Sequence, residues 1–146
     1  MKKILYSLCV VSLLLSITGC TQNNGNIGNW FGQWRMDSYK VNGEVQEDYQ
    51  GNIFFCFQSA VFAYRYSKPD GDYSSAYLGK WEEWEEKDGN LLVIIFNTEE
   101  SNVPPNNPFG FKAGNVLKVV HNGGSEKTLT YEDEEGNKYE MHFVAW

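Results

Sequence analysis

Ile53-Phe54-Phe55-Cys56-Phe57-Gln58-Ser59-Ala60-Val61-Phe62-Ala63-Tyr64-Arg65-Tyr66 sets two kinds of β-strand side by side. Ala60, Phe62, Tyr64 and Tyr66 alternate with Val61, Ala63 and Arg65. Side chains of an extended chain point to opposite faces with a period of two, so the second half of this stretch reads as a strand with one buried face. Ile53 to Phe57 is apolar on both faces, as is Leu91 to Phe96, which suits strands covered on two sides.

The same grammar extends outward in both directions. Trp34, Met36 and Ser38 alternate with Arg35, Asp37 and Tyr39. Further strands are expected over Ser75 to Lys87, Val116 to His121, Lys127 to Glu132 and Lys138 to Trp146. In the last of these Tyr139, Met141 and Phe143 share one face, and Lys138, Glu140 and His142 the other. Lys68-Pro69-Asp70-Gly71, Asp88-Gly89-Asn90, Asn122-Gly123-Gly124 and Glu135-Gly136-Asn137 carry residues that tolerate positive φ, so consecutive strands should be antiparallel neighbours joined by hairpins. About eight strands result, the number at which a meander closes into a barrel either filled by side chains or holding one small ligand. An all-β, antiparallel up-and-down barrel is therefore expected, with a small β-sandwich as the alternative.

One connection departs from hairpin chemistry. Asn97 to Gly110 contains Pro104, Pro105 and Pro108, too many prolines for a strand, and Phe109 and Phe111 follow where it rejoins the sheet. A long loop of this kind is expected to border the open end of the barrel.

The N-terminus reads as an address. Lys2 and Lys3 precede an apolar run from Ile4 to Leu15 and a small-residue exit at Ser16, Thr18 and Gly19, the pattern of a secretory signal peptide over residues 1–19. Ile17-Thr18-Gly19-Cys20 resembles the lipobox of bacterial lipoproteins. That resemblance implies cleavage before Cys20 and acylation of its thiol and amine, with palmitate-type chains holding the protein to a membrane of the cell envelope. Thr21 after Cys20 resembles lipoproteins sorted to an outer membrane. Thr21 to Asn29 is rich in Asn and Gly and reads as a flexible tether, leaving one domain over 30–146. With Cys9 in the leader and Cys20 acylated, Cys56 is the remaining thiol, and its apolar surroundings mark it as an inert buried residue. Without Lys2 and Lys3, 10 basic residues face 19 acidic ones, a net charge of −9. Nucleic acid is excluded as a partner on this ground, because phosphate binding needs a basic face.

Phe31-Gly32-Gln33-Trp34, a G-x-W at the first strand followed by a meander, resembles the lipocalin-like domains of bacterial lipoproteins. The resemblance implies that Gly32 lets the chain turn into the barrel and that Trp34 plugs its closed end. It also implies binding of a small, partly apolar molecule. Two departures from the pattern stand out: no helix follows the strands, and no arginine lies near the C-terminus to stack on Trp34.

Candidate ligand-binding residues are Phe62, Tyr64, Phe109 and Phe111 at the barrel mouth, with Trp81 and Trp84 elsewhere. Gly79 and Trp81 form a second G-x-W, followed by Glu82-Glu83-Trp84-Glu85-Glu86. Strict alternation puts Trp81 and Trp84 on opposite faces, so either one ring lies outside or a bulge re-aims the strand. This stretch reads as a solvated acidic edge that discourages sheet-to-sheet association. Its sharper reading is a tryptophan platform flanked by carboxylates, suited to a sugar or a cation. Adjacent carboxylates alone do not supply the two-sided geometry of glycoside hydrolysis. His121 and His142 lie on separate strands without a third metal ligand, and no nucleophile motif accompanies them. Asp133 to Asn137 lacks the spaced ligands of a calcium loop and reads as a turn. No catalytic residue, metal or cofactor is assigned, so the expectation is a binding protein and not an enzyme. The rival is an inhibitor or assembly lipoprotein with a filled, ligand-free barrel that docks an envelope protein on the acidic Trp81 to Glu86 surface. An internal cavity above about 300 Å³ would favour the ligand.

Overall fold

The computed structural model describes residues 28–68, 73–97, 103–105 and 107–146; the side chains of Tyr73 and Ser74 are not described. The leader, Cys20, the tether as far as Ile27, the Pro69-Asp70-Gly71 part of one turn, and part of the proline loop lie outside the described residues.

Among the described residues nine strands follow in chain order: β1 (Gly32–Val41), β2 (Glu44–Val45), β3 (Ile53–Gln58), β4 (Val61–Ser67), β5 (Tyr73–Trp84), β6 (Leu91–Phe96), β7 (Gly114–Asn122), β8 (Glu126–Glu132) and β9 (Lys138–Ala145). Each pairs antiparallel with its neighbour in the order β2-β1-β3-β4-β5-β6-β7-β8-β9, and β1 also pairs with β9. That last pairing, from Trp34 opposite Ala145 to Val41 opposite Tyr139, closes eight strands into a barrel and removes the sandwich alternative. The two-residue β2 is an appendage on β1, turned at Asn42-Gly43, where φ of 52° and 88° gives the positive pair that a tight two-residue hairpin needs. No helix occurs among the described residues.

The alternation read in the sequence holds through β4 and β9, where Phe62 and Tyr64, and Tyr139, Met141 and Phe143, point into the core. It fails once in β1. A bulge between Met36 and Ser38 inserts Asp37, so Met36 pairs with Phe143 but Ser38 with His142. The insertion reverses the faces beyond it: Tyr39, which alternation sets opposite Trp34 and Met36, packs on the core together with Val41, and Ser38 faces outward with His142. The outward side of Phe54 is buried because Trp146 folds back over it, ring centroids 5.6 Å apart, with the Arg35 guanidinium 5.0 Å from the Trp146 ring.

The interior is filled. Phe55 lies 5.1, 4.7 and 6.2 Å in centroid distance from Phe62, Phe143 and Phe111, in edge-on and tilted contacts that fill the core. Gly79 has no room for a side chain, since a Cβ there would lie 2.3 Å from the Ile95 carbonyl oxygen.

The end of the barrel near the N-terminus is closed by indoles. Trp34 donates its indole N–H to the Trp30 carbonyl at 2.9 Å, and the Lys127 ammonium lies 3.9 Å from the Trp34 ring and 4.6 Å from the Trp30 ring. Lys127 is 1% exposed and donates to Asn122 Oδ1 and to the Gly123 carbonyl. A lysine thus supplies, from β8, the cation over Trp34 that the sequence lacks as a C-terminal arginine.

Candidate functional site: the tyrosine-lined mouth

The opposite end is the mouth, formed by the β1–β3 segment, the facing ends of β4 and β5, the β8–β9 turn and the described residues of the proline loop. Three devices shape it. Tyr49 ties the β1–β3 segment across the opening: its hydroxyl donates to the Met36 carbonyl (3.2 Å) and accepts from the Ile53 N–H (3.0 Å). Asp133 holds the β8–β9 turn, accepting from the backbone N–H of Glu135 and Asn137, the Asn137 side chain and the Tyr139 hydroxyl, all between 2.8 and 3.0 Å. Those bonds keep its carboxyl below the usual range and commit it to the turn, as the sequence reading of this stretch expects. Asn107 shapes the loop, with its amide donating to the Pro104 carbonyl and its oxygen accepting the Phe111 N–H, both at 2.7 Å.

This last arrangement drives Phe109 and Phe111 inward. Phe109 is 0% exposed and packs on Tyr39, Tyr139 and Phe111; Phe111 packs on Phe55, Tyr64 and Tyr131. The two rings stopper the barrel, so the loop returns to the sheet at the open end, as its sequence suggests.

A cleft of about 230 Å³ remains between the stopper and strands β4 and β5, lined by Tyr64, Tyr66, Ser75, Tyr77, Pro104, Pro105 and Asn107. None of these side chains is charged at neutral pH. Burial pushes the Tyr64 phenol well above its ordinary value, with Tyr49, Tyr66, Tyr39 and Tyr77 nearby, and does the same to Tyr49. Tyr139, buried beside Asp133, is raised to about 12. In a chain of net charge −7, the cleft is a neutral, ring-lined spot.

Of the candidate ligand-binding residues, Tyr64 lines this cleft. Phe62, Phe109 and Phe111 lie in the core beneath and beside it. Trp81 and Trp84 are at the other end of the barrel, and β5 runs without a bulge there: Trp81 turns inward against Phe57, while Trp84 is outside and 48% exposed. Sequence reasoning missed Tyr66, Ser75, Tyr77, Pro104, Pro105 and Asn107. The prolines were visible as a loop signal, but which strand the loop leans against is a tertiary matter. Among the described residues no cluster of His, Cys, Asp and Glu could hold a metal ion. His142 lies between carboxylates of Asp37 (3.7 Å) and Glu126 (3.9 Å) on the outer wall. Cys56 is a half-buried free thiol whose pKa is raised by burial.

A lipocalin-like protein from Bacteroides uniformis superposes on this barrel with a TM-score of 0.62 at 21% identity, covering 82% of this chain and all of that one. The fold is lipocalin-like. A second structure with this lipocalin-like barrel, an uncharacterized protein from Bacteroides eggerthii, has a TM-score of 0.61 at 22% identity and covers 80% of this chain and 99% of that one. No family model matches the sequence, and no curated protein matches it.

Proposed function

We propose that this protein is a non-enzymatic, lipid-anchored binding protein of the cell envelope that holds a small, uncharged, partly apolar molecule at the barrel mouth. The observation that carries the reading is the neutral cleft of tyrosines and prolines at the open end. Apolar walls with a few placed hydroxyl and amide groups are what such ligands require. At about 230 Å³ the cleft is below the roughly 300 Å³ at which drug-sized pockets begin. The ligand is therefore compact, or inserts one ring of a larger body beside Tyr64. Pro104 and Pro105 restrict the wall they form, which lowers the ordering cost of binding.

The test is mass spectrometry of the protein purified gently from its own membrane, followed by titration of the retained molecule. Tyr77→Ala and Tyr66→Ala, both at least partly exposed, should weaken binding about tenfold, equivalent to about 1.4 kcal/mol each. Unchanged affinity in both, with circular dichroism intact, would remove the cleft from the site.

The anchor is tested separately. Cys20→Ala in a diderm host should abolish acylation and yield uncleaved precursor or a soluble periplasmic species. Wild-type processing and detergent partitioning in that variant would overturn the lipoprotein reading.

A further inference from the structure

Two strands of this barrel are apolar on both faces, Ile53 to Phe57 in β3 and Leu91 to Phe96 in β6. The outer face of β3 is covered by the chain itself, since Trp146 lies over Phe54 and Arg35 over Trp146. Among the described residues β6 has no such cover. Leu92, Ile94 and Phe96 point into the core, so Leu91, Val93 and Ile95 point outward. Ile95 is 45% exposed, and its neighbours on the outer wall, Trp84 of β5 and Val116 of β7, are 48 and 49% exposed. An exposed apolar strip of this kind marks a contact surface.

The register of the strip says what covers it. Across β6 it sets Trp84, Leu91 and Lys118 in one row, Glu82, Val93 and Val116 in the next, and Lys80, Ile95 and Gly114 in a third. All lie on one outward face, because β5, β6 and β7 pair here without a bulge. The β5 side carries an indole whose N–H is held by Glu82 Oε2 at 3.0 Å, so a ring face and a carboxylate sit together. The β7 side carries the Lys118 ammonium, which pairs with no carboxylate among the described residues. One edge of the strip therefore complements the other edge of a second copy. A two-fold axis along β6 lays Leu91, Val93 and Ile95 on their own counterparts and sets Trp84 and Glu82 against Lys118 of the second copy. The same axis places Lys80 over Gly114, beside which the space is open. With two lysines against one glutamate the strip is not acidic, so two copies of a chain of net charge −7 can meet on it.

We propose that the outer face of β5, β6 and β7 is the interface of a symmetric homodimer, two barrels side by side with β6 stacked on β6 and each Lys118 seated against Trp84 and Glu82 of the other copy. Both mouths stay open at the same end. Three strands spaced about 4.8 Å apart make a strip too narrow for the roughly 800 Å² per partner of a standard interface, so the dimer is weak and a covalent trap is the suitable readout.

The experiment is disulfide trapping of the purified protein in a Cys56→Ala background, with the background protein itself as the control for other thiols. Leu91→Cys and Ile95→Cys, at the two ends of the axis, should each be oxidised to a homodimer by copper phenanthroline. Val45→Cys, exposed on β2 and away from the strip, should not. Lys118→Glu should cut the Ile95→Cys yield about tenfold, because the contact occurs twice and each now sets a glutamate against Glu82. Adding Glu82→Lys to that chain should restore the yield, which a folding defect at either position would not. Glu82, Ile95 and Lys118 are exposed and Leu91 is partly so, and circular dichroism verifies that the variants fold. No homodimer at the two axis positions, trapping at Val45→Cys as efficient as at Ile95→Cys, no loss with Lys118→Glu, or no recovery with the charge swap would overturn the interface. So would a disulfide-linked adduct of Ile95→Cys with a different protein, in place of the homodimer, when cells are oxidised before lysis. None of these outcomes bears on the tyrosine cleft or on the anchor.

Discussion

Trp34→Ala should cost about 3 to 5 kcal/mol of folding stability, read as a drop in the denaturation midpoint in urea at constant slope. Three losses combine. The largest is the indole volume, because Trp34 is buried under Trp30 at the closed end and the strands around it cannot collapse into the gap. The second is its hydrogen bond to the Trp30 carbonyl, which fixes the chain before β1. The third is the ring beneath the Lys127 ammonium, at 3.9 Å the nearer of its two indoles. Without it a buried charge loses part of what offsets its desolvation. Trp34→Phe should recover much of the volume but neither the N–H bond nor the full cation contact, and should fall between wild type and Trp34→Ala. A loss under about 1 kcal/mol for Trp34→Ala would mean that the ring is not the plug of this barrel.

The closed end also shows where the sequence was legible and where it was not. Period-two alternation is a local property, so β4 and β9, which run without interruption, could be assigned to faces residue by residue. A bulge costs one residue and leaves no compositional mark, so nothing in Met36-Asp37-Ser38 announced that Tyr39 and Val41 would turn inward. Lys127 is a different kind of miss. It shares strand parity with Leu129 and Tyr131, both packed on the core, and parity alone placed it inside. A charge is expected to face solvent, and only the indoles brought over it from β1 and the chain before it make burial tolerable. The mouth was half legible. The proline loop and its two phenylalanines were visible as a return to the barrel, yet whether the rings would line a hollow or stopper it depends on how much volume Phe55, Tyr64 and Tyr131 leave, which no local pattern encodes.

Stability of the folded protein should rise as pH is raised from about 8 toward 10, and Lys127→Met should abolish that rise. Burial pushes the Lys127 ammonium down from 10.5 to about 8, with the nearby Glu83 charge pulling the other way. Below about pH 8 both folded and unfolded chains carry the proton, and the cost of burying the charge is fully present. Between about 8 and 10.5 the unfolded chain binds the extra proton and the folded chain does not, so stability increases with pH across that window. The shift corresponds to about 3 kcal/mol over the whole interval. The mouth tyrosines act in the opposite sense. Burial raises Tyr39, Tyr49, Tyr64, Tyr131 and Tyr139 above their ordinary value of 10.0, so what they contribute is present below about pH 10 and is lost as pH climbs further. A maximum near pH 10 follows for the wild type. In Lys127→Met the rising arm disappears and the alkaline fall remains. At pH 7 the variant should lie within about 1 kcal/mol of wild type, because relief from burying a charge is set against the lost indole contacts and the unpaired Gly123 carbonyl. Urea titrations at pH 7, 8, 9 and 10 measure both arms. A rising arm that persists in Lys127→Met would assign the titration to another group, and a flat wild-type profile would mean that the two indole faces hold the ammonium protonated throughout.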